Sequence, residues 1–527
     1  MRKYITGVFF LVLSSHLFSQ GVLSIMGKDY VADTLSYRQI APGVLYSHIY
    51  MPDFPLNAFI MKVDLNNPYI SVETFQAGDK VGKTERLTDG YTRLSYPGHQ
   101  CVGGVNGNFW IVPVQGYPAP LLGMPHSGSM RKGEIVSDPN GWNRGWVNDP
   151  EGLLEEIGFA VIDKARKLWV DDMIFDGKVS IGPDNEYSVD NVNRLRTQDK
   201  LVVFNSYVGF TSRPSELPGT EVVVRPVSGA EWATSQNIDC EVVRIKNGYG
   251  GEPFSQGEYV LSGAGKAAEF LGQLSIGEQV CIHMGLCTRK DKLPLSASEM
   301  LTGNALVMKN GRLTIRNYNE SYNSQNYPRT GIGCSADGKT LLMIVIDRRI
   351  GAGASTETMC EILRNAGATS VASLDGGGSA QMMIEKEIVN YPGDGNERAV
   401  ANGWMLFNSA PVDNQIASIS FDDYSLLLPR NAAYKPVILG YNKYGVLIDK
   451  NFQSFLLTCD TGIGEIKDHQ TFIANGADGN GVLTASYQGY KISKKVQLVD
   501  SKICFAQDTM VVDNRLFNRL HFQQAIL

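Results

Sequence analysis

The sequence is poor in charge. Only 19% of its 527 residues are Asp, Glu, Lys or Arg, and 48 basic residues against 54 acidic ones leave a formal net charge of −6. Nucleic-acid binders carry basic faces that neutralise phosphate, so this balance argues against a nucleic-acid partner. It leaves room for a local basic pocket around one phosphate group. Cysteine is sparse as well. Eight, at 101, 240, 281, 287, 334, 360, 459 and 504, are scattered along the chain and form no disulfide framework. They read as buried small hydrophobes, with one or two disulfides left open. Cys281 and Cys287 flank His283, but no fourth ligand stands at a suitable spacing, and strand alternation accounts for the segment better than zinc. No metal and no cofactor is expected.

Long apolar runs are missing too. Beyond the N-terminus no stretch approaches the ~20 apolar residues of a spanning helix, so no membrane span is expected in a mature, soluble chain. The N-terminus itself reads MRKYITGVFFLVLSSHLFSQG. Arg2 and Lys3, a short apolar run from Ile5 to Leu13 and a polar exit from Ser15 to Gln20 are the pattern of a secretory signal peptide over 1–20. No Cys follows it, which argues against a lipoprotein anchor. An exported protein, periplasmic or extracellular, is expected. Repeats and low-complexity segments are absent. The 43% hydrophobic content and 55 glycines without a Gly-X-Y period describe a globular chain.

What is present is mostly strand. Met61-Lys-Val-Asp-Leu and Ile70-Ser-Val-Glu-Thr-Phe alternate apolar and polar residues around an Asn66-Asn-Pro turn, and the style continues to about residue 260. Residues 111–150 are loop-rich, with six prolines and Trp142 and Trp146 in GWNRGW. Helical signal is scarce. One helix is expected near Lys266 to Leu274. A clearer one runs from Ser355 to Ala366, capped by Ser355, striped by Met359, Ile362 and Leu363, and ended by Gly367. It lies between two apolar runs, Leu341 to Ile346 and Ser370 to Leu374. The order predicts a βαβ-type unit with Asp347 and Asp375 at the C-terminal ends of its strands. From 411 to 500, short alternating strands between turn residues have the length of an Ig-like sandwich. Residues 501–527 carry no assignable fold. The expected class is α+β: a strand-dominated mixed-sheet catalytic domain with few helices over 21–410, then a small all-β Ig-like sandwich.

The chemistry concentrates at Leu374-Asp375-Gly376-Gly377-Gly378-Ser379. Three glycines after a buried strand cost chain entropy, and they let a backbone approach a ligand with its N–H groups turned inward. Ser379 adds a hydroxyl, and Asp375 is placed as a general acid or base. Upstream, Tyr327-Pro328-Arg329-Thr330 puts a guanidinium before a small-residue strand, where it can grip phosphate or carboxylate. Asp347-Arg348-Arg349 and Arg398 with Asn402 suggest an anionic pocket. Asn106-Gly107-Asn108-Phe109-Trp110 offers amides for sugar hydroxyls and aromatics for sugar faces. Two rival motifs fail on context. Gly377-Gly-Ser-Ala-Gln lacks the second glycine of a nucleophile elbow. Gly333 to Thr340 fits the Walker letters but runs straight into a strand, where Ala-Asp-Gly-Lys reads as a hairpin turn.

GVNGNFW, YPRTGIGCSADGKTLLMIVIDRR, ASLDGGGSAQMM and ERAVANGWMLF, in that order, resemble the phosphodiester glycosidase family over about residues 37–408. The resemblance implies hydrolysis of a glycosyl phosphodiester, such as an N-acetylglucosamine-1-phosphodiester, to free sugar and a phosphomonoester. It implies catalytic Asp375 and Asp347. It implies phosphate binding by Arg329, Arg349, Arg398, Gly376, Gly377, Gly378 and Ser379, and substrate binding by Asn106, Asn108, Thr330 and Asn402. The family often has Gly where this chain has Asn108 and Arg348, and Arg348 adds bulk and charge beside the implied phosphate. Which carboxylate acts on water, and with what stereochemistry, stays open at this point. Two other readings stand beside it. One is a non-catalytic carbohydrate-binding or surface-polysaccharide assembly protein. The other is a phosphodiesterase cutting the second P–O bond.

Overall fold

The computed structural model describes residues 21–137, 156–227, 232–316, 321–422, 426–477 and 479–499. The leader read over 1–20, Trp142, Trp146, and the tail 501–527 with Cys504 lie outside the described residues.

Leu341 to Ile346 is apolar at every position because both faces of its strand are covered. Leu341, Met343 and Val345 enter one core, while Leu342, Ile344 and Ile346 enter another. A strand with one wet face would alternate instead. This strand, Thr340–Ile346, is central in a nine-stranded sheet. Leu56–Asp64 pairs with it on one side and Arg329–Cys334 on the other, both antiparallel. Ser370–Ser373 then pairs antiparallel with Arg329–Cys334.

The expected βαβ unit is therefore split. Its two strands run in the same direction and are joined by the helix Thr356–Asn365, but Arg329–Cys334 lies between them. The cause is local. The Asp337-Gly338 turn joins Arg329–Cys334 to Thr340–Ile346 as a hairpin, with Cys334 opposite Leu341. That hairpin fills the adjacent slot before the helical connection returns. The helix starts as its sequence predicts, with Ser355 Oγ accepting from Thr358 N at 3.0 Å. It lies directly on the inserted strand. A Cβ on Gly331 would come 2.7 Å from Met359 Sδ, and one on Gly333 2.9 Å from Ala368 Cβ. The small residues after Arg329 thus admit a helix, whereas the sequence had suggested that they clear space for the guanidinium.

A second sheet orders Glu387–Ile388, Met382–Ile384, Gln100–Asn106, Asn402–Asn408 and Ile70–Gln76. Its Val105, Met382, Trp404 and Leu406 share one core with Phe59, Met61, Ile332 and Met343 of the first sheet. The two sheets pack face to face, and the ends of their strands build the site. A helix not foreseen in the sequence, Leu87–Leu94, covers the outer face of the second sheet through Leu87.

A third sheet of five strands (Ser129–Arg131, Glu134–Ser137, Phe159–Asp163, Leu168–Asp171 and Ala297–Thr302) leads into a closed seven-stranded barrel. The barrel runs from Met173–Ser180 to Gln279–Thr288, which pair to close it. The helix Lys266–Leu271, shorter than expected, adds Ala267, Phe270 and Leu271 to the barrel's core. In Gln279–Thr288 the residues Val280, Ile282, Met284 and Leu286 enter that core, while Cys281, His283 and Cys287 are only partly covered. No group of three or more His, Cys, Asp or Glu side chains is arranged for a metal among the described residues. The seven described cysteines are free thiols, so the disulfides left open by the sequence do not form among them. No helix among the described residues is long and apolar enough to cross a membrane.

From Ser418 to Val499 the chain is all strand, in three small sheets around one core that includes Phe421, Ile438, Phe472 and Leu483. Arg38 meets Asp422 at 3.2 Å, and Gln39 bonds the carbonyl of Gly445 at 2.6 Å and the hydroxyl of Tyr441 at 2.9 Å.

Candidate active site

The sheet registers collect the motifs at one end. Arg329 begins its strand opposite Ile346, so Asp347 leaves the neighbouring strand beside it. Leu374 N bonds the carbonyl of Thr330 at 2.9 Å on the other flank, which sets Asp375 next to Arg329. From the second sheet, Gly107 O accepts from Asp375 N at 3.0 Å, and Asn106 Nδ2 donates to Asp375 O at 2.7 Å. Asn106 is the junction of the two sheets. Its Oδ1 accepts from Thr330 Oγ1 at 2.7 Å and from Gln381 N at 3.1 Å. With three partners inside the protein and 1% exposure, it holds the loop ends together.

Asp375 is buried, and burial pushes its carboxyl up to about 7. The Ser379 hydroxyl, the Arg398 charge and the Gly376 N–H oppose that rise. Arg398 reaches Ser379 Oγ through Nη1 at 3.2 Å, so a chain runs from guanidinium to hydroxyl to carboxyl. Gln381 locks Arg398 from below. Its Oε1 accepts from Arg398 N at 3.1 Å, and its Nε2 donates to Arg398 O at 2.9 Å.

The glycine loop opens less of its backbone than the sequence suggested. Gly377 N donates to Pro328 O at 2.9 Å, Ser379 N to Gly376 O at 3.1 Å and Ala380 N to Gly377 O at 3.3 Å. Gly376 N–H is taken by Asp375. Gly378 N–H alone of these has no hydrogen bond among the described residues. Each glycine has its own reason. A Cβ on Gly376 would meet Pro328 O at 2.6 Å, Gly377 adopts φ +60°, and a Cβ on Gly378 would meet Arg398 Nη2 at 2.1 Å.

The remaining arginines divide. Arg329 is 1% exposed and turned inward. Its Nε donates to Ala354 O at 2.8 Å, and its Nη2 to Tyr322 O at 2.6 Å and Gln325 O at 2.8 Å. Its guanidinium also faces the rings of Tyr322 and Tyr327. Burial lowers its pKa. It therefore staples the segment before its strand. Arg348 and Arg349 are exposed. Arg348 Nη2 bonds Gly393 O, and Arg349 lies over the Tyr391 ring. The segment 390–398 is folded over the glycine loop so closely that a Cβ on Gly393 would sit 2.6 Å from Gly377 O.

Asp347 occupies a different setting from Asp375. Its Oδ1 accepts from Arg349 N at 3.1 Å and its Oδ2 from Tyr391 N at 2.8 Å. Burial raises its pKa, and those two N–H bonds, Asn57 and the Arg349 charge hold it down. It pins the loops that carry Arg349 and Tyr391. Asn402 Oδ1 accepts from Asn108 N at 2.9 Å, and Asn108 Nδ2 bonds Ser127 Oγ at 2.8 Å. Asn402 Nδ2 and Asn108 Oδ1 are buried without a partner among the described residues, two polar atoms beside the Asn106 junction. Gln381, Asp394, Asn390 and Tyr322 were missed in the sequence. Tyr322 bonds Ser373 Oγ and Leu374 O behind the loop, and Asn390 bonds Met382 N and Ala380 O. Only the position of Gln381 two residues past Ser379 gave any signal.

Residues 237–407 match the family model described as phosphodiester glycosidase. The match holds the whole glycine loop and its arginines. It begins inside the barrel, 200 residues later than the resemblance read from the motifs, and leaves Asn106 and Asn108 outside. No curated protein matches the chain. Among solved structures, a hypothetical protein from Synechocystis shares the fold at a TM-score of 0.52 and 14% identity, over 69% of this chain and 62% of that one. The chain thus spans less than two thirds of that protein. A protein described as exported from Burkholderia pseudomallei K96243 aligns at 0.49 and 20% identity, over 67% of this chain and 74% of that one. The zebrafish N-acetylglucosamine-1-phosphodiester alpha-N-acetylglucosaminidase catalytic domain, auto-inhibited by its pro-peptide, aligns at 0.33 and 11%, over 72% and 87%.

Proposed function

We propose that this chain is an exported hydrolase that cleaves a glycosyl phosphodiester, N-acetylglucosamine-1-phosphodiester-like, to free sugar and a phosphomonoester. The observation that carries the reading is Asp375. It is a buried carboxyl, pushed up to about 7, bonded by Ser379 and Gly376 and facing the Arg398 charge, inside a stretch that matches the phosphodiester glycosidase family. The signal-peptide pattern of 1–20 supports export.

The mechanism follows from what each group has left to offer. The outer arginines, Gly378 N–H and the N–H groups of Arg398 that Asp394 and Ser379 leave over hold the phosphodiester. A phosphomonoester is a good leaving group from an anomeric carbon, so little acid assistance is needed. Water attacks that carbon, the bond between the carbon and the bridging oxygen breaks, and its electron pair leaves on that phosphate oxygen. Asp375, as carboxylate, accepts the proton of the water. A base whose pKa lies near the working pH is matched to this task. Asp347, with both oxygens engaged by backbone N–H groups, acts by holding the Arg349 and Tyr391 loops. Asn402 and Asn108 are buried and act by holding the 106–108 turn, Asn402 Oδ1 accepting from Asn108 N. The all-strand unit after residue 410 is read as an Ig-like spacer.

Product analysis on an α-N-acetylglucosaminyl phosphodiester tests this. The mature chain should release free N-acetylglucosamine, and Asp375→Asn should not. Sugar phosphate plus alcohol would instead assign cleavage of the P–O bond to the alcohol. Binding of the sugar by both proteins without turnover would make the chain a carbohydrate-binding protein.

A further inference from the structure

Asp394 lies where an anionic ligand would lie. It accepts two bonds from the guanidinium of Arg398, from Nε at 2.6 Å and from Nη2. That edge of an arginine is the one phosphate oxygens use. The pair is open to solvent, with 38% of the Arg398 side chain and 46% of the Asp394 side chain exposed, so it contributes little to the fold. It is nevertheless seated hard on the glycine loop. A Cβ on Gly378 would come 2.1 Å from Arg398 Nη2 and 2.3 Å from Asp394 Oδ1. The bare residue is the one whose N–H is open, and the Asp394 carboxylate lies against it. Through Nη1 the same guanidinium reaches Ser379 and, beyond it, Asp375. A fixed negative charge thus stands inside the phosphate grip.

We propose that Asp394 is a specificity-determining residue. Its resident carboxylate occupies the Arg398 fork, admits the singly charged phosphodiester, and expels the doubly charged phosphomonoester formed from it. The proposal rests on the phosphodiester reading of the site. A fixed charge repels a ligand in proportion to the ligand's own charge. A phosphomonoester carries close to two charges at pH 8, because its second pKa is about 6, and a diester carries one. At about 5 Å in a solvent-open, salt-screened setting, each ligand charge corresponds to roughly threefold in affinity.

The test uses titration calorimetry at pH 8 on the full mature chain, Asp394→Asn and the charge-keeping Asp394→Glu. The probes are inorganic phosphate as dianion and dimethyl phosphate as monoanion, and thermal unfolding confirms that all three proteins are folded. Asp394→Asn should bind phosphate roughly tenfold tighter and dimethyl phosphate only about threefold tighter, while Asp394→Glu keeps the starting ratio. Equal changes for both anions, weaker binding of both, or no binding to any of the three proteins would overturn the proposal. Turnover is read separately. A chain that shows the expected anion ratios and releases no sugar would defeat the glycosidase reading and leave the discrimination by Asp394 in place.

Discussion

Replacing Asp375 by Asn should make the protein more stable at pH 8 and inactive at every pH. Burial lifts the Asp375 carboxyl from its ordinary 3.8 to about 7. The native state therefore holds a proton that the unfolded chain has released, throughout the interval between those values. Stability falls with rising pH wherever the native state binds more protons, so the penalty starts near pH 4 and is complete just above pH 7. At about 1.4 kcal/mol per pH unit it reaches ~4 kcal/mol. Asn is nearly the same size and never ionises. The bonds from Ser379 and Gly376 that Asn forfeits already oppose the rise and are contained in that figure. About 1 kcal/mol of the penalty is present by pH 4.5, so the gap between the two proteins should open by about 3 kcal/mol from pH 4.5 to pH 8. Thermal unfolding from pH 4.5 to 8.5 reads this as a gap that opens with pH, of about 2–4 °C per kcal/mol. Glu134 and Glu299, which burial also pushes up to about 7, bend both curves alike, so the difference isolates Asp375. A variant that is less stable at pH 8, or a gap independent of pH, would refute the buried, proton-holding carboxyl.

Gly378→Ala and Gly376→Ala should separate loop function from loop folding. The added methyl at 378 meets the movable ends of Arg398 and Asp394, so activity should fall at least tenfold while Tm shifts little. At 376 it meets Pro328 O, a backbone atom, and Tm should fall by several degrees. Arg329→Met should cost about 3 kcal/mol in a denaturant titration, because three bonds from a buried guanidinium to backbone carbonyls are lost. Arg398→Met should leave stability within about 1 kcal/mol, since its partner is a half-exposed carboxylate, and should raise KM for the phosphodiester. If Asp375 is the base, kcat/KM should climb tenfold per pH unit below about 7 and level above it, the inflection being its own. A rate falling through that range would make it an acid instead.

Local patterns were the legible part of the sequence. The Ser355 cap, the Asp337-Gly338 hairpin and the doubly buried run Leu341 to Ile346 each follow from residues within reach of one another. The ordering of strands did not, because the pairing of Ser370–Ser373 with Arg329–Cys334 in place of Thr340–Ile346 joins segments far apart in the chain. The helix Leu87–Leu94 was hidden by its centre. Gly90 is there because a Cβ would strike the Phe75 ring at 2.4 Å, and glycine reads as a breaker in isolation. Closure of the barrel left no periodic signal of its own. At the site, the motifs were visible but not their division of labour. Arg329 looks like a phosphate clamp until the carbonyls of Tyr322, Gln325 and Ala354 claim it, and those partners come from segments whose approach only the fold decides. Asp394 escaped notice for the converse reason, as one acidic residue in a polar loop with nothing in sequence to tie it to Gly378.

The most direct test of the central claim is the fate of labelled water. Hydrolysis of a glycosyl phosphodiester in H2(18)O, followed by (31)P NMR of the phosphomonoester, reports which bond breaks, because phosphate oxygens do not exchange on this timescale. Attack at the anomeric carbon predicts a phosphomonoester without label and a labelled sugar hydroxyl. Label on phosphorus would contradict the account.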